Sequence, residues 1–503
     1  MEYFMEFALT SHIEKRKKAD VLVLPFWKGT SQPETAIALH PLKLSLDSVL
    51  NTGDFKGKEG ETLFLYVEGL VEMRVALLGL GEKNKVSTEA LRKSYGCLAK
   101  ACLGKKLKTL NILMPEFNKT EEDAFIKAIT EGLLLPNYVY DRLKSKQEED
   151  DEVTLLQKIN FISSNKHVLA LAEEVAAICD GVYYTRDLIN GNADEITPQY
   201  LAKCAQGLSQ EYSQIKTTVF DKKRLEKEQM GLLLAVNRGS NLDPALIIME
   251  YKGNPKSKDH TIIIGKGVTY DTGGLNIKPT GGIETMKCDM SGGAACFGTM
   301  LAACHLDLKV NLTAIIPATE NSVDAASFKP GDVYRSYLGK TVEMTNSDAE
   351  GRLILADALA YASQNLKPSR LIDIATLTGA IEISLGSEAS GLMSTDDQLA
   401  KSLIQAGENT HERLWRMPLY EGYQEKLKSD IADLKSWNGR SGSSCVAAMF
   451  LKNFVGKDIP WAHLDIAGTA YVTEPKKYMP KYASGVGVRL LVEFLKQLSM
   501  VKK

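Results

Sequence analysis

Thr345-Asn346-Ser347-Asp348-Ala349-Glu350-Gly351-Arg352-Leu353 stands between two runs of different character. Residues 339–344 before it read as a strand, and residues 354–363 after it are apolar at helical spacing. A strand entering a helix through a short polar turn is the repeating unit of an α/β fold. Within the turn, Asp348, Glu350 and Arg352 are spaced two apart. On a helix such positions do not face one another, whereas on an extended or sharply turned segment they project to one side. The stretch therefore predicts two carboxylates and a guanidinium presented together at the C-terminal edge of a sheet, where open α/β folds place their active sites. Taken alone, the same residues are equally a solvated turn carrying a surface ion pair.

The chain has 503 residues, too many for one ordinary core, and two or three domains are expected. Hydrophobic residues make up 44% and charged residues 25%, an ordinary globular balance. A net charge of −2 and a pI near 6.4 supply no electrostatic argument for nucleic acid or an anionic membrane. The eight cysteines are scattered without a CxxC pair, which speaks against a zinc knuckle or a disulfide framework and for reduced thiols in the cytoplasm. Residues 1–7 carry Glu2 and Glu6 and no continuous apolar core, so a signal peptide is not expected. No run of 18 apolar residues exists, so no membrane span is expected either.

Apolar patterning predicts a small N-terminal α/β domain over 1–163, a linker helix over 164–188, and a larger α/β domain over 189–503. In the first domain, strands at 21–26, 74–80 and 110–114 alternate with helices at 87–103 and 120–135. Ser87 or Thr88 is the expected cap of the first helix and Thr120 of the second. This domain holds no catalytic constellation, and the basic cluster at 15–18, beside Glu14 and Asp20, reads as a solvated face. Residues 141–152 read as an exposed connection. In the larger domain, strands at 217–220, 245–251, 261–264, 310–316, 341–345, 371–375 and 462–466 are interleaved with helices such as 292–303 and 354–363. Continuous apolar strands alternating with helices predict a mostly parallel central sheet covered by helices.

The strand at 261–264 runs into a glycine-rich stretch, residues 265–279. Glycine at this density lets backbone approach something closely. A phosphate is one candidate, which would make the chain a nucleotide-dependent α/β enzyme, but neither GxxxxGK[ST] nor a GxGxxG opening a helix is present. Asp289, just before the helix at 292–303, is either a helix cap or a site residue. Lys266, Asp271, Lys278 and Asp289 thus follow one strand, and Asp348, Glu350 and Arg352 another. Four carboxylates in one cleft repel strongly at low dielectric, and two divalent cations would balance their charge. Oxygen-rich ligation with few histidines suits Mn²⁺, Mg²⁺ or Zn²⁺. A lysine joins such a site only as the neutral amine, which dications and burial both favour.

Residues 346–353 resemble the NTDAEGRL signature of the leucyl aminopeptidase (cytosol aminopeptidase) family. Residues 265–279, 286–290, 373–380 and 461–468 are similar to further motifs of that family, and the resemblance covers about 187–503. It implies an exopeptidase with two divalent metal ions per subunit, Mn²⁺ or Zn²⁺, that releases leucine and other apolar residues from the N-terminus of peptide substrates. By resemblance, Lys266, Asp271, Asp289 and Glu350 hold the tighter metal, and Asp271, Asp348 and Glu350 hold the more exchangeable one. The implied mechanism uses a metal-bridging hydroxide, Lys278 as oxyanion stabiliser, and a bicarbonate bound by Arg352 as general base. The implied pocket for the N-terminal side chain is lined by Met286, Thr376, Leu377, Gly379, Ala467 and Ala470. The family also implies a cytoplasmic homohexamer in which the N-terminal domain serves oligomerisation or regulation. Some bacterial members also bind DNA as architectural proteins, a role to which the near-neutral charge lends little support.

Two positions depart from the family pattern. Ser347 stands where threonine is usual, and residues 190–194 lack the usual proline of an Asn-x-Pro-x-Asn turn. His463 and Asp465 read as hydrogen-bonded structural residues, Trp437 and Tyr270 as packing residues, and Cys288 as a buried inert thiol. Asp430 and Asp433 read as supports for the site, and the loop around Arg440 as a border of the cleft.

Overall fold

The computed structural model describes residues 5–29, 40–145 and 153–500; most of the connection expected at 141–152 lies outside them. The chain divides into two compact units, Met1–Cys179 with Glu474–Lys481, and Asp180–Thr473 with Tyr482–Lys503.

The first unit contains β1 (Glu6–Thr10), β2 (Val21–Phe26), α1 (His40–Thr52), β3 (Thr62–Tyr66) and β4 (Arg74–Gly79). It continues with α2 (Thr88–Gly104), β5 (Thr109–Leu113), α3 (Glu122–Leu134) and β6 (Lys158–Ile162). The sheet order is β1-β6-β5-β2-β4-β3, with β3 the only antiparallel member among the described residues. Strand β2 illustrates why such strands read as unbroken apolar runs. Val21 and Val23 join the core with Leu91 of α2 and Ile129 of α3, while Leu22, Leu24 and Phe26 pack with Leu42 and Leu46 of α1. Ser87 caps α2 by accepting from the Ala90 amide. The expected Thr120 cap is not formed, because α3 starts after Glu121 with no side chain closing its first turn; Glu122 and Asp123 still face its positive end. The short segment Glu474–Lys481 packs with this unit, where Tyr478 Oη donates to Glu89 at 3.1 Å and Lys100 Nζ to the Lys476 carbonyl at 2.8 Å.

Helix α4 (Val168–Asn190) contains the division between the units. Next come α5 (Pro198–Glu211), β7 (Ile215–Phe220), α6 (Lys222–Lys227), α7 (Gly231–Asn237), β8 (Ala245–Lys252), β9 (His260–Gly265) and β10 (Gly267–Asp271). They are followed by α8 (Ser291–His305), β11 (Asn311–Asn321), β12 (Val333–Arg335), β13 (Thr341–Glu343), α9 (Glu350–Asn365) and β14 (Arg370–Ala375). The remainder holds α10 (Gly379–Leu385), β15 (Ser390–Ser394), α11 (Asp397–Thr410), β16 (Leu414–Arg416), α12 (Glu421–Glu425) and β17 (Leu434–Lys435). It ends with α13 (Ser443–Lys452), β18 (Trp461–Asp465) and α14 (Val488–Met500).

The main sheet runs β16-β15-β18-β14-β9-β11-β8-β7, with β10 beside the end of β11. Its centre, β18-β14-β9-β11, is parallel; β15 enters antiparallel to β18, and β7 and β8 form an antiparallel flank. Helices α7, α9 and α13 pack against Ile262, Ile264 and Ile315 on one face. The alternation along a strand sends Ile316 to the other face, where it meets Gly293 of α8. This is the expected α/β architecture: a small N-terminal domain, and a larger one whose mainly parallel sheet is covered on both faces. Among the described residues no helix is long and apolar enough to cross a membrane.

The strand expected at 341–345 is β13, and it does not belong to the main sheet. It is three residues long and sits in a separate sheet, β12-β13-β17. A short apolar run carries no record of which partner completes its hydrogen bonds, so its sheet was not legible. The helix expected from 354 begins earlier, at Glu350, directly after the 3₁₀ turn Ser347–Ala349.

Candidate metal centre

Part of the glycine-rich stretch has a packing role. A Cβ on Gly265 would lie 2.4 Å from the Gly292 carbonyl and 2.6 Å from the Gly293 Cα. What the backbone approaches is the N-terminus of α8. The Gly293 amide donates to the Lys266 carbonyl at 2.8 Å, and the Lys266 amide to the Ile374 carbonyl at 3.1 Å. This close approach sets Lys266, at the end of β9, beside Asp289 in the 3₁₀ turn Met286–Met290 before α8. Asp289 is not a helix cap: its carboxylate accepts from Lys266 Nζ and from Thr376 Oγ1, both at 2.8 Å.

Lys266 is 3% exposed, and its Nζ also lies 2.8 Å from Glu350 Oε1 and donates to the Thr376 carbonyl at 3.0 Å. Lys278 Nζ lies 2.8 Å from Asp271 Oδ2 and 2.6 Å from Asp348 Oδ1. One carboxylate oxygen each from Asp271, Asp348 and Glu350 falls within 4.8 Å of the others. All seven predicted metal and catalytic residues line one cleft of about 300 Å³. The charged triplet of the opening stretch converges through a sharp turn, not an extended segment: Asp348 lies on the 3₁₀ turn and Glu350 and Arg352 in the first turn of α9. The floor of the cleft lies at the C-terminal ends of β9, β14 and β18, as the sheet rule anticipates.

Burial dominates the electrostatics of this cluster. It raises the Asp271 carboxyl to about 6, with the Glu350 charge adding to the effect, and it lifts Asp289 and Asp348 in the same direction. Glu350 goes the other way, because Lys266 and Lys278 together outweigh its burial. Burial works to lower both lysines, but the carboxylates around each hold it charged, above its ordinary value. Burial also lowers Arg352, to about 10, where it is still a cation at neutral pH. Glu350 Oε2 is buried without a hydrogen-bond partner. A buried carboxylate oxygen left unmatched is costly unless something binds it. The donor set therefore fits divalent cations: hard oxygens, clustered and desolvated, with one oxygen uncommitted.

The pocket residues divide. Met286, Thr376, Leu377, Gly379 and Ala467 line the cleft. Ala470 does not; it is 1% exposed, with its amide donating to Ile466 and its carbonyl accepting from the Ser484 amide. Trp437, read as a packing residue, is on the cleft wall together with Asn346, Thr378, Glu382 and Ser443. Cys288 also borders the cleft, and burial pushes its thiol up to about 12, towards the protonated form. His463 is structural, its Nδ1 paired with Asp373 at 2.6 Å. Asp465 holds the 377–378 wall by accepting from the Leu377 amide at 3.0 Å and Thr378 Oγ1 at 2.7 Å. Asp433 supports β13 by accepting from Thr341 N and Oγ1, and Tyr270 Oη donates to the Ile283 carbonyl. Despite its missing proline, the turn after α4 is ordered: Ile196 donates to the Asn192 carbonyl at 2.8 Å.

Two supports went unread in the sequence. Asn321, at the end of β11, donates through Nδ2 to Asp271 Oδ1 at 2.8 Å and to the Ser347 carbonyl at 3.0 Å. Ser347 Oγ donates to the Gly273 carbonyl at 2.6 Å and accepts from the Asn276 amide at 2.7 Å, tying the loop that carries Lys278 to the 345–353 turn. Nothing in the local pattern marked Asn321; an amide ending a long apolar strand was the only signal. A second cleft, of about 830 Å³ in the N-terminal unit, is larger but has no comparable convergence of donors among the described residues.

A buried acidic centre at the strand ends of an α/β unit is what the class of divalent-metal hydrolases requires. The catalytic-domain profile of the cytosol aminopeptidase family matches residues 183–492, and its N-terminal-domain profile matches 23–147. The chain is 99% identical to a probable cytosol aminopeptidase of Protochlamydia amoebophila (strain UWE25), over 99% of this chain and 100% of that one. It is 44% identical to a probable cytosol aminopeptidase of Chlamydia abortus, over 96% and 97% of the two chains. Among solved structures it is similar to a mutant of tomato leucine aminopeptidase, with a TM-score of 0.86 and 30% identity over 99% of this chain and 98% of that one. It is also similar to the bottromycin maturation enzyme BotP in complex with Mn, with a TM-score of 0.85 and 29% identity over 96% and 100%. The chain belongs to the cytosol aminopeptidase family and is a peptide hydrolase.

Proposed function

We propose that the chain removes leucine and other apolar residues from the N-terminus of peptides, using two divalent ions held by Lys266, Asp271, Asp289, Asp348 and Glu350. The observation that carries this reading is the meeting of Asp271, Asp348 and Glu350 oxygens within 4.8 Å, with Lys266 between Asp289 and Glu350. Bound there, the ions supply a docking point for the free α-amine, polarisation of the scissile carbonyl and a lowered pKa for the attacking water. Mn²⁺ or Zn²⁺ suits these donors, and BotP, a structural relative, was solved with Mn. The carboxylates that keep Lys266 charged are those a dication would take, so its presence leaves burial to favour the neutral amine.

The chain's own residues do the rest. Lys278 reaches into the cleft from a loop and donates to the oxygen on which charge develops. Arg352 has Nη1 committed to the Ser436 carbonyl at 2.7 Å, while its buried Nε has no partner. Its Nε–Nη2 edge presents two parallel N–H groups to a bicarbonate, placing a proton acceptor beside the attacked bond. Met286, Thr376, Leu377, Gly379 and Ala467 surround the departing residue's side chain, with Ala470 buried outside the wall. We assign the enzyme to the cytoplasm as a homohexamer, with the N-terminal unit serving assembly or regulation.

Hydrolysis of leucine p-nitroanilide tests this. Activity is expected to vanish on chelation and return with Mn²⁺ or Zn²⁺; inactivity with Mn²⁺, Zn²⁺ and Co²⁺ alike refutes it. Arg352→Ala is expected to lower kcat by roughly 10–100-fold and to recover partly at high bicarbonate, measured as initial rates across a bicarbonate series.

A further inference from the structure

The Arg352 guanidinium is only as well aimed as the group that grips it. That group is the carbonyl of Ser436, a residue 0% exposed on the chain leaving β17. The carbonyl belongs to the same rigid peptide plane as the Trp437 amide. The Trp437 N–H donates to Thr345 Oγ1 at 3.0 Å. The Thr345 hydroxyl in turn donates to the Trp437 carbonyl at 2.7 Å, and the Thr345 amide donates to Ser436 Oγ at 3.1 Å. The Ser436 amide donates to the Glu343 carbonyl at 2.9 Å, extending the β13–β17 pairing up to the clasp. One end of this peptide plane is therefore pinned by Thr345 and the other holds Arg352.

We propose that Thr345 is a positioning residue for Arg352, acting through the Ser436–Trp437 peptide plane. Thr345 does not line the cleft, so its hydroxyl works at one remove. Without that hydroxyl the plane can rotate about the flanking bonds, and the guanidinium edge meant for the proton-accepting anion turns with it. The proposal rests on the reading of Arg352 as the anion-holding residue, and the experiment separates the two.

Thr345→Val keeps the shape and removes the hydroxyl. It is expected to lower kcat for leucine p-nitroanilide by about 5–20-fold with KM changed less than about twofold, and to raise the bicarbonate concentration giving half-maximal rate by about tenfold. Thr345→Ser retains the hydroxyl and is expected to stay within about twofold of wild type in both readouts. Combined with Arg352→Ala, Thr345→Val should cost nothing further, since both act on one interaction. Losses that multiply in the double variant, or a Thr345→Val enzyme with wild-type kcat and bicarbonate dependence, overturn the proposal. A fully active Arg352→Ala enzyme instead overturns the reading on which it rests. Should Thr345→Val not fold, Thr345→Ala carries the test, because it removes the same hydroxyl without placing a methyl group against the Trp437 N–H. A bicarbonate dependence unchanged from wild type in that variant also overturns the proposal.

Discussion

Glu350→Gln is expected to lower peptide hydrolysis by at least about 10³-fold while leaving the fold in place. Glu350 is 1% exposed, with Oε1 2.8 Å from Lys266 and Oε2 unmatched. It is also one of the three carboxylates whose oxygens converge. Glutamine has the same shape, so the packing around position 350 changes little. It lacks the charge, and an amide is a far poorer partner for a dication than a carboxylate. Lys266 keeps Asp289 as its counter-ion, so no buried cation is stranded. The checks are the rate of leucine p-nitroanilide hydrolysis, the metal content of the purified protein by elemental mass spectrometry, and the circular dichroism spectrum. A Glu350→Gln enzyme retaining a tenth of wild-type kcat with full metal content would place the centre elsewhere.

Gly292→Ala is expected to damage both stability and activity although no polar group is lost. The added Cβ would lie 2.0 Å from the Ile374 carbonyl oxygen and 3.1 Å from the Lys266 amide nitrogen, both backbone atoms of central strands or their ends. A flexible side chain could swing aside; a strand in a parallel sheet cannot. Overpacking of this kind costs about 3 kcal/mol or more when the neighbour is rigid. The relief available is to lift α8 off β9 and β14, which also moves Asp289 away from Lys266. A fall in denaturation midpoint together with a lower kcat is the expected pair of results. Gly207→Ala on α5 is the control, since a Cβ there meets nothing within 4 Å; it should be neutral or stabilising by up to about 1 kcal/mol. A Gly292→Ala protein as stable as the control would show that α8 is not held this tightly.

The elements of this fold were largely legible because their periods are local. Continuous apolar runs such as 21–26 and 371–375 are strands covered on both faces, and the 3.6-residue period at 354–363 is a helix. The chemistry-bearing residues were legible as residue types at the ends of such runs. What approaches the glycines was not: their density called for a close neighbour, and a helix end fits that demand as well as a phosphate does. Asn321 and Trp437 were missed because each reaches the site from a segment whose own pattern is silent about it.

By itself the sequence determined that this chain builds α/β units and that several carboxylates stand where strands end. That follows because hydrophobic period and residue charge are properties of neighbours along the chain. Only the tertiary structure decided that β13 pairs outside the main sheet, that Lys266 stands between Asp289 and Glu350, and that the Ser436 carbonyl grips Arg352. Hydrogen bonds and Coulomb interactions depend on distances of a few ångströms between atoms that, for Arg352 and Ser436, are 84 residues apart. The opening stretch supplies Asp348, Glu350 and Arg352; the fold supplies everything that aims them.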